Sequence, residues 1–371
     1  MPRKSKTSVD EKTLNQLKQQ GLASDMADLR LKYMATSSIL KYLKPLVGQS
    51  RIHPHVLPTQ KSLRWSTKNP PLANFSANCI NPSCVHRDRK HRNRLPECWS
   101  LRDIVTPDPG HYFLKWDLDA IEAKLAAAYS HDTEDLEFFR QGYDIHTKTC
   151  CDALGLPLPQ DMRDPHTSLV DQAWREYLHW GGKEDWRRGA CKAGRYAATY
   201  GTDEKAILQA KDVDMLGLTR EELLAISRKL LALKPQLVAF KKRVWDHIMA
   251  THEVRHPLGG RKRLFISPEE YSLYRRSGRA TPSCREGLNH LFQGWVAVAM
   301  NLMIIETKRR FPYMVFGINT HDGALWSVPQ DKKPYPDIKE VVEQEWDIWG
   351  ETITSTATWS AVGPEGKKWT L

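Results

Sequence analysis

Two aspartates stand where a carboxylate can be held partly away from bulk water. Asp117 closes the largely apolar run Tyr112-Phe113-Leu114-Lys115-Trp116. Asp322 lies in Asn319–Gly323, the polar interruption between Met314–Ile318 and Ala324–Val328. Two carboxylates on adjacent strands repel each other unless a cation lies between them. Hard oxygen ligands of this kind suit Mg²⁺, which keeps water and substrate phosphates in its remaining positions. Taken singly, each residue also reads as a strand terminator or turn former.

A second group is periodic. Arg188, Lys192, Tyr196 and Tyr200 recur every four residues in the segment that ends at Gly201. On a helix each such step advances about 400°, so the side chains lie on one slowly drifting stripe. Cations at one end and rings at the other match a nucleoside triphosphate, with the cations on phosphate oxygens and the rings on sugar and base. A solvated helix with a mixed face is the plainer alternative.

The surrounding elements follow from pattern. Residues 1–10 read as a loose basic tail, and residues 10–47 as two or three amphipathic helices. Residues 51–111, rich in Pro, Asn, Ser and Arg, read as irregular with short strands. The strand ending at Asp117 leads into a helix over 120–129, and residues 133–250 are mostly helical. His256–Gly260 marks a turn between two short strands, and Glu286–Lys308 reads as one long helix. The segments around Asn319–Gly323 read as a β-hairpin.

Composition bounds the rest. The 371 residues carry 55 Lys+Arg against 44 Asp+Glu, a net +11, with 40% hydrophobic and 27% charged residues. That is a globular composition, long enough for about two or three domains. A pI near 9.2 is compatible with a polyanionic partner without identifying one. A mean hydropathy of −0.56 argues against a membrane protein. The most apolar stretch, Leu291–Ile305, is interrupted by Gln293 and Asn301 and reads as too short to span a bilayer. The 7 cysteines lack a repeated spacing, which suits a reducing compartment. No apolar run follows the charged opening MPRKSKTSVDEK, so no secretion signal and a cytoplasmic location are expected.

Together these segments resemble the core motifs of the family A DNA polymerases. The first, strand–Asp–x4–Glu–helix, is Asp117-Leu-Asp-Ala-Ile-Glu122. The second, Arg-x3-Lys-x3-aromatic-x3-Tyr-Gly, is Arg188 to Gly201, and the third, His-Asp in a hairpin, is His321-Asp322. Leu63-Arg64-Trp-Ser66-Thr67 with Asn69-Pro70-Pro-Leu72-Ala-Asn74 resembles the primer-side segment. Arg102, Asp144-Ile-His146-Thr147, Arg285-x3-Asn289-x3-Gln293 and Gly366-Lys-Lys-Trp369 agree with further family features.

The resemblance implies an α+β right-hand architecture with an antiparallel-sheet palm and a helical fingers insertion. It implies a thumb remnant over 1–50, palm over 51–135 and 280–371, and fingers over 136–279. The implied reaction is template-directed addition of dNTPs to a primer 3′ end by two-metal-ion nucleotidyl transfer. Two Mg²⁺ ions would be held by Asp117, Asp322 and the Leu118 carbonyl. Arg188, Lys192 and His146 would bind the triphosphate, and Lys192 could protonate the leaving pyrophosphate. Glu122 would be the gate against a 2′-hydroxyl. Tyr196 stands where many members have Phe, and Tyr200 would stack near the templating base or hold the closed helix. Arg64, Arg285, Asn289, Gln293 and His321 would contact primer-template DNA, testing pairing geometry rather than sequence.

Departures accompany the likeness. Gly323 stands where the family usually has Glu, Ala120 where many members have Gln, and Ala73 departs from Gln in the primer-side segment. Set against the family, most of a thumb and any exonuclease domain are expected to be missing. A split or truncated polymerase is therefore expected, of low processivity alone, or with a partner chain supplying those functions. Such compactness points towards a phage or other virus, hence a host cytoplasm. Cys79, Cys84, His86, His91 and Cys98 sit among Arg and Lys. They read either as ligands of a structural Zn²⁺ or as incidental residues of a basic DNA-contacting loop. The rival functions are a phage-type single-subunit RNA polymerase-like enzyme, against which Glu122 argues, and a non-catalytic DNA-binding accessory subunit.

Overall fold

Along His111–Leu118, half-buried and buried side chains alternate without a break, the period of an extended strand. Trp116 and Leu114 are completely buried on its inner side. The structure, a computed structural model, describes residues 37, 40, 43–57, 63–72, 101–200, 219–363 and 368–369. Most of the helices expected over 10–47, Ala73 and the whole Cys/His loop lie outside the described residues.

Two short strands, β1 (His55–Leu57) and β2 (Ser66–Lys68), pair antiparallel before the long strand β3 (His111–Leu118). Helices α1 (Ile121–Ser130), α2 (Thr133–Arg140), α3 (Ile145–Leu154), α4 (Gln172–Leu178), α5 (Trp186–Thr199), α6 (Arg220–Ala232) and α7 (Pro235–Thr251) follow. Strands β4 (Glu253–Arg255) and β5 (Arg261–Arg263) flank the expected turn, and α8 (Pro268–Ser277) comes next. Then α9 (Pro282–Asn289), one π-helical turn (His290–Gly294) and α10 (Trp295–Arg310) run on without a break. The chain ends with β6 (Val315–Asn319), β7 (Gly323–Pro329), α11 (Tyr335–Val342), β8 (Glu345–Ile348), β9 (Glu351–Thr354), β10 (Ala357–Val362) and β11 (Lys368–Trp369).

The long helix corrects two expectations. It starts before Glu286, because the Thr281 hydroxyl accepts the Cys284 N–H and Pro282 occupies the first turn. The run Pro282–Arg310 is 29 residues, long and apolar enough by length and composition to cross a membrane. Its hydropathy has another cause: Leu288, Leu291, Phe292, Trp295, Val296, Ala299 and Met300 are fully buried, so this is a core helix.

The chain divides into two compact units. One comprises 1–58, 65–113 and 362–369 and holds β1 and β2. The other comprises 59–64, 114–361 and 370–371, and every described site residue discussed below belongs to it. In this second unit the strands lie in the order β10-β3-β7-β6, with β6 and β7 antiparallel. Tyr129 on α1 stacks on Phe240 of α7 at 5.6 Å and meets Phe292 edge-on at 5.5 Å. Truncating such a buried ring costs about 3–5 kcal/mol, so these contacts seat α1, and the end of β3 before it, firmly.

Candidate active site

Asp117 lies in β3, and Asp322 immediately precedes β7. β3 and β7 lie side by side, and the Leu118 N–H donates to the Asp322 carbonyl at 2.7 Å. The two carboxyl groups come within hydrogen-bonding reach of each other. Asp322 is pushed up to about 6, first by burial and then by the Asp117 charge. Lys115 Nζ stands 3.4 Å from Asp117 Oδ2, but both side chains are well exposed, so this counter-charge is weak. The pair is left with excess negative charge on hard oxygens, which suits a divalent cation. No group of three or more His, Cys, Asp or Glu that could hold a metal ion gathers among the described residues.

The backbone is bent to hold this pair. Ala120 (φ 49°) and His321 (φ 79°) both take left-handed conformations, which cost a non-glycine residue on the order of 1 kcal/mol. The His321 N–H donates to Asn319 Oδ1 at 2.9 Å, bracing the turn. A Cβ on Gly323 would lie 2.5 Å from the Trp116 carbonyl and 2.7 Å from Asp117 Oδ1. Glycine at this position is therefore a packing requirement of the two strands as they stand.

Glu122, on the first turn of α1, is held from two sides. Arg64 donates to Oε1 at 2.8 Å, and the Tyr200 hydroxyl donates to Oε2. Gln293, in the π-helical turn, hydrogen-bonds the same hydroxyl, and Phe292 meets the Tyr200 ring edge-on at 5.7 Å. Burial, followed by the Glu122 charge, raises the Tyr200 hydroxyl far above its usual range.

The stripe forms as the spacing predicts: α5 carries Arg188, Lys192 and Tyr196, and Tyr200 is its C-cap. Asp185 caps the start of α5, accepting the Arg187 N–H at 2.9 Å. Buried Lys241 donates to the Ala198 carbonyl at 2.6 Å near its end. Lys192 Nζ lies 5.9 Å from the Tyr196 ring, and the His146 ring 6.1 Å from it. Burial, then the Lys192 and Arg188 charges, lower His146 to about 3, so it is neutral at ordinary pH. Its Nδ1 is buried without a hydrogen-bond partner. The Tyr196 hydroxyl is pushed up to about 12 by burial and then by the Glu122 and Asp322 charges, so Tyr196 lies in the field of these two carboxylates. Arg188 is held firmly on the stripe: its Nε and one amino group sit on Asp144, at 3.1 and 3.0 Å.

Arg285 and Asn289 lie on α9, where Arg285 donates to the Ala280 carbonyl at 3.3 Å. Sequence reading missed the supports: Lys115 at Asp117, Thr358 donating to Asp119 at 2.6 Å, and Lys124 donating to the Thr354 carbonyl at 2.8 Å. It also missed His166, 2.8 Å from Asp144. Only Lys115, two residues from Asp117 on one strand face, carried a signal in the spacing.

The fold matches that of the POL domain of Pol1 from M. smegmatis, solved in complex with DNA primer-template and dNTP, with a TM-score of 0.67 and 18% identity. The match covers 97% of this chain and 57% of that one, so the chain spans little more than half of the protein it resembles. No curated protein matches the sequence. The description DNA polymerase family A fits residues 1–348, and on that match the chain belongs to the family A DNA polymerases.

Proposed function

We propose that this chain is a DNA polymerase that adds dNTPs to a primer 3′ end on a DNA template. The observation that carries the reading is the under-compensated pair Asp117 and Asp322, with Tyr196 of the stripe in the field of Asp322. The Pol1 domain of the same fold was solved with primer-template and dNTP, which supports these partners.

Family A polymerases generally use divalent metal ions, and the donor chemistry here fits Mg²⁺. Asp117, Asp322 and the Leu118 carbonyl would hold it. Bound there, it lowers the pKa of the attacking hydroxyl and neutralises phosphate charge. Lys192 and Arg188 meet the triphosphate oxygens, where charge accumulates as pyrophosphate leaves. Lys192 gives the leaving group a proton. Neutral His146 offers a hydrogen bond without adding charge. Glu122, fixed by Arg64 and Tyr200, excludes a 2′-hydroxyl, which favours dNTPs over the rNTPs of an RNA polymerase. Tyr196 and Tyr200 pack against the nucleotide and the templating base, while Arg64, Arg285, Asn289, Gln293 and His321 bind the primer-template. In this reading residues 51–135 and 280–371 form the palm, 136–279 the fingers and 1–50 a thumb remnant. Processivity is low for the isolated chain.

Extension of a primed template with dNTPs and rNTPs in parallel tests this. Extension with dNTPs alone, abolished by Asp117→Ala and by Asp322→Ala, is expected. No extension by the wild type under any divalent cation would favour a non-catalytic DNA-binding subunit. Runs of hundreds of nucleotides in one binding event would remove the low-processivity claim.

A further inference from the structure

Asp144 is the most heavily engaged carboxylate of the described residues around the stripe. As N-cap of α3 it accepts the N–H groups of His146 at 3.0 Å and Thr147 at 3.3 Å, and the Thr147 hydroxyl at 3.0 Å. Arg188 adds its two-pronged contact. The remaining partner comes from a distant loop: His166 Nε2 lies 2.8 Å from Oδ2, with the imidazole only 5% exposed. On its other side, the Trp180 indole N–H donates to His166 Nδ1 at 3.3 Å. Nδ1 is thus the acceptor, and the ring proton sits on Nε2, facing Asp144. The Trp180 ring lies nearly parallel to His166, 5° between planes, and is itself packed by Trp174 at 5.0 Å and by the Arg187 guanidinium at 5.1 Å. The same loop also takes the Asp144 backbone, whose N–H donates to the Met162 carbonyl at 2.7 Å.

We propose that His166 is a positioning residue for nucleotide binding. The chain Trp180–His166–Asp144 fixes the plane of the carboxylate. That plane sets both the Arg188 fork and the first turn of α3, which carries His146. Without His166 the carboxylate keeps only the α3 amides, the Thr147 hydroxyl and Arg188; its Oδ2 loses the one side-chain anchor outside α3 and α5, so it swivels with the guanidinium and the cation is no longer presented in one orientation. The proposal rests on the reading of Arg188 and His146 as triphosphate-binding residues.

The test is steady-state single-nucleotide insertion with full-length His166→Ala, His166→Gln, Trp180→Phe, Arg188→Ala and the double variant His166→Ala/Arg188→Ala. Thermal melting and primer-template affinity are measured beside it. Loss of one charge-assisted bond is expected to raise the dNTP KM of His166→Ala about tenfold, with kcat and DNA affinity nearly unchanged. His166→Gln, which can still donate to Asp144, should recover most of this. Trp180→Phe should raise KM about twofold to threefold, and it carries the test if His166→Ala does not fold. The double variant should be no worse than Arg188→Ala alone. An unchanged or lower KM in folded His166→Ala, or no rescue by Gln, overturns the role of His166. An unchanged KM in Arg188→Ala overturns the triphosphate reading instead.

Discussion

Asp322 and Asp144 are both largely buried carboxylates, and the fold treats them in opposite ways. Asp322 faces another carboxylate and is pushed up to about 6 by burial and that neighbour. Asp144 also pays for burial, but His166 and Arg188 hold it far below the usual carboxylate range. One site is short of positive charge, with only the exposed Lys115 beside it and Arg64 acting weakly; the other is saturated with cations and hydrogen-bond donors. A saturated carboxylate has finished its bonding and serves as scaffold. A deficient one needs something from outside the chain, which is what a cation-dependent catalytic centre requires.

The contrast breaks most sharply at the acid pair. Asp117→Ala or Asp322→Ala should lower primer extension by at least about a thousandfold while leaving DNA affinity intact; single-turnover assays with a binding titration check it. A loss under tenfold would show that the pair is not the cation site. Gly323→Glu should come next. It supplies the carboxylate the family usually has there, yet its Cβ meets the Trp116 carbonyl and Asp117. Displacing those strands by a few tenths of an ångström or more should reduce kcat about a hundredfold, and a gain in kcat would refute the packing argument.

At the saturated site the larger effect is on stability. Asp144→Asn leaves Arg188 partly buried without a counter-charge, at a cost of about 3 kcal/mol, measurable by urea unfolding. The smallest effect is the pH dependence, and its sign separates the two sites. A raised carboxyl such as Asp322 favours the fold while protonated. Its contribution is present below about pH 4 and is lost as pH rises through about 6. Without divalent cation, stability should therefore fall by about 2 kcal/mol between pH 4 and pH 7 through this group. Millimolar Mg²⁺ should restore it, and Asp322→Asn should abolish the trend. Asp144, being depressed, contributes in the opposite sense: its stabilisation is present above about pH 4 and lost only in strong acid. Melting curves across pH, with and without Mg²⁺, resolve both.

Much of this was legible in the sequence where periodicity was strong. The alternation before Asp117, the hairpin around Asp322 and the four-residue repeat of the stripe each fix a local geometry, and the structure follows them. The start of the long helix was misread at Glu286, although Thr281-Pro282, a cap followed by a first-turn proline, carried the signal. What could not be read depends on long-range packing. His166 meets Asp144 across a loop of irregular turns, with no repeat to reveal the contact. The π-helical turn leaves no mark in a hydrophobic pattern that is apolar all round. The need for Gly323 follows from how closely β7 approaches β3, a distance set by the whole sheet.

The π-helical turn at His290–Gly294 has one further consequence. Such a turn holds one residue more than the α-helical path across the same span. Removing one residue there would restore regular winding and leave α10 in phase with α9, so Trp295, Met300 and Met303 would keep their places in the core. What would change is local: Gln293 would lose the widened turn from which it reaches the Tyr200 hydroxyl. A deletion elsewhere in α9 or α10 has no such slack and would rotate everything beyond it by about 100°. The turn is thus the one place where this buried helix can lose a residue without rewriting its packed face.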